Sequence, residues 1–183
     1  MTHPVTPRDV LDFWFAAGKQ KWFAKSDAFD ADITERFKVA HEAARDGAMD
    51  DWGGTAEGML ALIILLDQFP RNMYRGTPEM FAADEKAAGL SKQALQRKYD
   101  GEVPEAARQF IYMPLMHSED LEDQDLCVKL FKADPALADN VSYAVDHRDI
   151  IARFGRFPHR NPILGRETTE EEAAFLADGG FAG

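Results

Sequence analysis

The chain has 183 residues, 45% of them hydrophobic and 11% aromatic, which supports a globular core and excludes a disordered chain. Its formal charge of −11 opposes nucleic-acid phosphates and anionic membrane surfaces at long range, so neither is expected as a partner. The single cysteine, Cys127, permits no intrachain disulfide and suits a reducing cytoplasm.

In chain order, Thr6-Pro7-Arg8-Asp9 reads as a helix start: a hydroxyl cap, proline at the first helical position and an acid in the first turn. Val10, Leu11, Trp14 and Phe15 then share one helical face. No basic region followed by an apolar run precedes them, so a secretory signal is not expected. A second helix carries Phe29, Ile33, Phe37, Ala40 and Ala44, with Gly47 placed to end it. Thr55 caps a third, whose run Met59–Leu66 is apolar all round. That run falls far short of the roughly 20 residues that cross a bilayer, so it predicts a central helix that Pro70 stops.

The fourth helix is expected from Pro78 to about Tyr99, with Gly89 as a weak point, and the fifth from Pro104 to a kink or end at Pro114. Ser118 opens a sixth, Asp134-Pro135 a long seventh ending near Gly155, and Thr168-Thr169-Glu170-Glu171 is a capping box for the eighth. No stretch alternates with period two between hairpin turns. The expectation is an all-α fold of about eight helices packed as antiparallel pairs, with residues 1–183 forming a single helical domain.

Two corners echo one another: "DQFPRN" (67–72) follows the third helix and "GRFPHRN" (155–161) follows the seventh. The second lies in "RFGRFPHRNPILGR" (153–166), which holds four arginines, one histidine and no carboxylate inside an acidic chain. Guanidinium forks bind carboxylate or phosphate bidentately, and a proline-stiffened segment presents them at low entropic cost. Arg71, Asn72, Arg153, Arg156, Arg160, Asn161 and Arg166 are therefore candidate ligand-binding residues. Their bland alternative is pairing with the chain's own carboxylates.

For proton transfer the candidates are His117 and His159, supported by Glu119 or Asp67. Ser118 is better read as a helix cap than as a nucleophile, since it lies on no G-x-S-x-G elbow. His147, on an apolar face with Tyr143, Ile150 and Phe154, is either a hydrogen-bonded core residue or a further ligand contact. Asp67 can pair with Arg71 at i+4, and Asp84 can join them from the fourth helix. Local signatures for a metal, a dinucleotide or a P-loop are absent, so no metal and no cofactor are expected.

The motifs "VLDFWF", "LALIILLDQFPRNMYRGTPEMFAAD", "FIYMPLMHSED" and "IIARFGRFPHRNPILGRETTEEEAAFL" occur in this order and span almost the whole chain. Together they resemble the bacterial family designated domain of unknown function 924. The resemblance implies a tetratricopeptide-like α-α superhelix and brings no activity, cofactor or catalytic residue. The residues themselves point first to capture of an anionic small molecule or an acidic peptide end. The alternative is an acid–base enzyme, such as a hydrolase, acting on an anionic substrate through His117 or His159.

Overall fold

The computed structural model describes residues 5–181, and among these every regular element is helical. Eight longer helices match the expected ones: α1 (Pro7–Ala17), α3 (Asp27–Arg45), α4 (Ala56–Ile63), α6 (Asp84–Gln96), α7 (Glu105–His117), α8 (Leu121–Ala133), α9 (Val141–Phe154) and α11 (Glu170–Ala177). Single-turn pieces account for the rest: α2 (Lys19–Trp22), α5 (Phe69–Met73) and α10 (Asn161–Leu164). The caps behave as their chemistry dictates. Thr6 with Asp9, and Thr169 with Glu172, each form a reciprocal capping box. Gly155, at φ +69°, ends α9 in the left-handed conformation that a side chain would resist.

The central helix is α4, whose residues from Met59 to Ile63 are at most 2% exposed. Around it α1, α6 and α7 pack, and α6 to α9 each lie against their neighbour in sequence. Aromatic rings fill the space on one side: Trp14 meets Phe69 and Phe110, each at 5.7 Å between centroids. Trp22, carried by the unforeseen α2, stands edge-on to Phe110 at 4.9 Å and donates its indole N–H to the Trp14 carbonyl. No helix of the described residues is long and apolar enough to cross a membrane.

Five boundaries differ from expectation, each for a local reason. Pro70 does not stop the third helix. Instead α4 widens into a π-helical stretch, Ile64–Gln68, in which Phe69 N–H reaches back to the Ile64 carbonyl. Pro70 has no N–H to offer the Leu65 carbonyl, and buried His41 on α3 supplies the missing donor through Nδ1 at 2.9 Å. The chain then runs on as α5. Pro114 likewise sits inside α7 without ending it.

The expected start at Pro78 is only a 3₁₀ turn (Pro78–Phe81), after which α6 passes through Gly89 without a break. The seventh helix also opens as a 3₁₀ turn (Pro135–Asn140). The cap of α8 is Asp120 rather than Ser118. Ser118 instead donates its hydroxyl to Asp123 and accepts the Asp120 N–H.

Candidate ligand cavity

The two Phe-Pro corners meet at Asp84, near the start of α6. Arg71 donates to both carboxylate oxygens of Asp84 at 3.0 Å, and Arg160 reaches Oδ2 of the same group at 3.3 Å. The π-helical stretch sets Asp67 directly beneath them. Asp67 is fully buried; its Oδ1 lies 2.7 Å from His117 Nδ1 and 3.4 Å from Arg71 Nη1, while Gln68 donates to Oδ2. Burial alone would raise the pKa of Asp67. The positive neighbours His117 and Arg71, with the hydrogen bonds from His117 and Gln68, outweigh that penalty and hold it at about 2.

Arg160 donates to the His117 carbonyl at 2.9 Å, and its guanidinium lies between the rings of Phe81 and Phe157 at 4.4 and 4.6 Å. Burial lowers its pKa to about 10, with Asp84 opposing, so it stays cationic at neutral pH. Its Nε is buried without a partner. Burial also lowers His147 and His159 to about 4, reinforced at His147 by the His117 charge and at His159 by Arg160. Both imidazoles are neutral at pH 7.

These groups surround a cavity of about 540 Å³. Its polar lining comprises Gln68, Arg71, Asn72, Arg75, Asn140, Tyr143, Arg160 and the imidazoles of His117, His147 and His159. Its apolar lining comprises Trp22, Phe23, Met80, Phe81, Met113, Met116, Phe157 and Phe181, with His147 and His159 packed on Phe157 and Phe181. Among the described residues no Asp, Glu or Lys lines it, although acids outnumber bases 32 to 21 in the chain. Asp67 and Asp84 stand behind the arginines, and Asp30 takes Arg75 and Asn72 from α3. Each histidine commits at most its Nδ1 to the protein: His117 to Asp67, and His147 to the Tyr143 carbonyl, with His159 Nδ1 left unpartnered. Among the described residues no protein group bonds their Nε2 atoms.

The candidate set therefore divides. Arg71, Asn72, His117, His147, His159 and Arg160 line the cavity, with Asp67 behind them. Arg153, Arg156, Arg166, Asn161 and Glu119 do not line it. Glu172, 2% exposed, accepts from Arg156 at 2.6 and 2.8 Å and from Asn161 at 3.1 Å. Glu119 accepts from Arg166 at 2.7 and 2.9 Å and from the Phe157 N–H, which removes it from any acid–base role in the cavity. Arg153 is exposed, pairing with Glu171 and lying over the Phe154 and Phe175 rings. These bonds staple α10 and α11 to the rest of the chain.

Sequence reasoning missed Gln68, Arg75, Asn140 and the whole apolar wall as cavity residues, and it did not single out His41. Arg75 carried a usable signal, because it stands four residues after Arg71 on the same turn. Among the described residues no cluster of three or more His, Cys, Asp or Glu side chains is placed to hold a metal ion.

The fold and site define an all-α protein with an amphipathic cavity, lined by no Asp or Glu among the described residues, where two arginine-bearing corners join. The chain belongs to the family described as bacterial protein of unknown function (DUF924), whose model matches residues 10–180. It is similar to the structure of a protein of unknown function, ATU0120, from Agrobacterium tumefaciens. The two share 46% identity over 94% of this chain and 97% of the other, with a TM-score of 0.90. No curated protein matches the chain.

Proposed function

We propose that the cavity binds a small anionic amphiphile, with a carboxylate or phosphate head against the arginine and histidine wall and an apolar body along the methionine and aromatic wall. One observation carries this reading: the lining of a strongly acidic protein includes three arginines and three histidines and, among the described residues, no carboxylate. A surface with the chain's average composition would present acids there, and their exclusion keeps the local field favourable to an anion. The volume of about 540 Å³ suits a small molecule better than a peptide end, and Met80, Met113 and Met116 let the apolar wall adapt to different bodies. The single cysteine, Cys127, buried and without a partner for an intrachain disulfide, accords with a cytoplasmic setting.

The test compares decanoate, decyl phosphate, decan-1-ol and decyltrimethylammonium by thermal shift and calorimetry. Decanoate or decyl phosphate at 100 times its Kd is expected to stabilise the protein by about 2.7 kcal/mol, with the alcohol at least about 10-fold weaker and the cation inert. Met80→Trp, which fills the cavity from a half-buried turn, is expected to abolish binding while the fold persists. Equal affinity for alcohol and carboxylate, or no binding of either anion, overturns the reading.

A further inference from the structure

The polar wall contains an arrangement that anion capture does not need. Asp67, wholly buried and ionised, meets His117 Nδ1 at 2.7 Å, and His117 Nε2 is left without a protein partner on a solvent-reaching cavity wall. A carboxylate accepting from Nδ1–H fixes the tautomer whose Nε2 carries a lone pair, and it steadies the imidazolium that forms when Nε2 takes a proton. A purely structural Asp–His pair would be expected to engage both ring nitrogens with the protein. Here one end is clamped and the other is open. Among the described residues the cavity lining offers no serine, threonine, cysteine or lysine as nucleophile, and with Tyr143 the one hydroxyl on it, water is the group this base would activate. On the same wall Arg160 donates to the backbone carbonyl of His117, and Arg71 shares Asp67 Oδ1 with the imidazole. Positive charge therefore stands beside the base.

We infer that the cavity hydrolyses carboxylic esters with an apolar acyl chain, with His117 as general base toward water, Asp67 as its positioning residue, and Arg71 and Arg160 stabilising the oxyanion. The inference rests on the anion-binding reading, since the carboxylate bound there becomes the product. In the forward step a water oxygen bonds to the acyl carbon while its proton passes to His117 Nε2. The carbonyl π pair moves onto oxygen and places a negative charge against the guanidinium wall. Collapse re-forms the C=O bond and breaks the ester C–O bond, and the departing alkoxide takes the proton back from Nε2. Ester and water give acid and alcohol, and the histidine is returned unchanged. A neutral ester gains less from the arginines than the oxyanion does, so their charge favours the transition state over the substrate.

The experiment follows 4-nitrophenolate release from 4-nitrophenyl decanoate by the wild-type chain, His117→Gln and Asp67→Asn. Decanoate affinity is measured in parallel on all three. Wild-type turnover above the buffer rate is expected, with kcat reduced about 10²–10⁴-fold in His117→Gln while decanoate still binds. In Asp67→Asn, kcat is expected to fall with KM within about 3-fold, because the asparagine amide turns the imidazole without altering the cavity. A folding defect in Asp67→Asn leaves the His117→Gln comparison as the deciding one. Decanoate binding without wild-type turnover, or turnover equal in His117→Gln, overturns the hydrolase inference and leaves anion capture standing. Loss of decanoate binding by the wild-type chain overturns both.

Discussion

The basic stretch from Arg153 to Arg166 splits into two regions that began with the same chemistry. On the inner side Arg160 joins Arg71 over Asp84, faces a cavity and keeps a buried, unpartnered Nε. On the outer side Arg156 and Arg166 are forked by Glu172 and Glu119, much as Arg71 is by Asp84, but neither lines the cavity. Arginine content alone therefore does not mark a binding site. What separates the regions is the cavity, which Arg71 and Arg160 line, Arg160 with an unpartnered Nε, while Arg156 and Arg166 stand outside it.

Truncating the inner cluster has the largest expected consequence. Arg71→Ala removes a cation shared by Asp67 and Asp84, stranding a wholly buried carboxylate, and is expected to cost about 3–5 kcal/mol in urea unfolding. A cost below 1 kcal/mol would show that the inner cluster is no more integrated than a surface pair.

Acidification separates the regions next. His147 and His159 hold pKa values of about 4 in the fold against 6.5 in an unfolded chain. The unfolded chain thus takes up protons first as pH falls. Their contribution is intact above about pH 6.5, is lost on the way down to pH 4 and stays lost below. A loss of about 3 kcal/mol for each histidine is expected, less for the half-buried His159. The outer staple behaves differently. Hydrogen bonds from Arg156, with those at Thr169, hold Glu172 at about 2 against an ordinary 4.5, so its contribution persists above pH 4.5 and disappears only toward pH 2. Unfolding free energies at pH 7, 5 and 3 are expected to show the histidine loss first. A His147→Gln/His159→Gln variant is expected to lose most of the slope from pH 6.5 to 4.5, the remainder coming from His41, whose pKa burial also lowers; an unchanged slope there would refute the assignment.

Smaller effects belong to the staple. Glu172→Ala removes a cap partner and two charge-assisted bonds, for an expected cost of about 2 kcal/mol. Arg153→Ala, at an exposed pair, should stay within about 1 kcal/mol. Neither substitution is expected to change decanoate affinity, and a change of 10-fold in either would erase the distinction between the regions.

Much of this fold is local and therefore readable from sequence. Thr6-Pro7, Thr55, Thr169 and Gly155 act through neighbours three or four residues away, and the all-round apolar run before Asp67 announces its own burial. The cavity depends on partners far apart in the chain. Pro70 reads as a terminator because its missing N–H is visible in sequence, whereas His41, 24 residues before the Leu65 carbonyl it meets, replaces that donor only in three dimensions. The π-helical stretch that results turns Asp67 toward His117, 50 residues on. Whether an arginine faces a ligand or a glutamate follows the same rule: Arg166 to Glu119 spans 47 positions, and Arg160 to Asp84 spans 76. Composition flagged the stretch, and only packing divided it.

The division is tested most directly by two-dimensional NMR of the arginine side-chain Nε–H groups during titration with decanoate. The expected result is saturable shifts at Arg71 and Arg160, with Arg156 and Arg166 unmoved and Met80→Trp silencing the response. Shifts confined to Arg156 and Arg166, or none at saturating decanoate, would contradict the account.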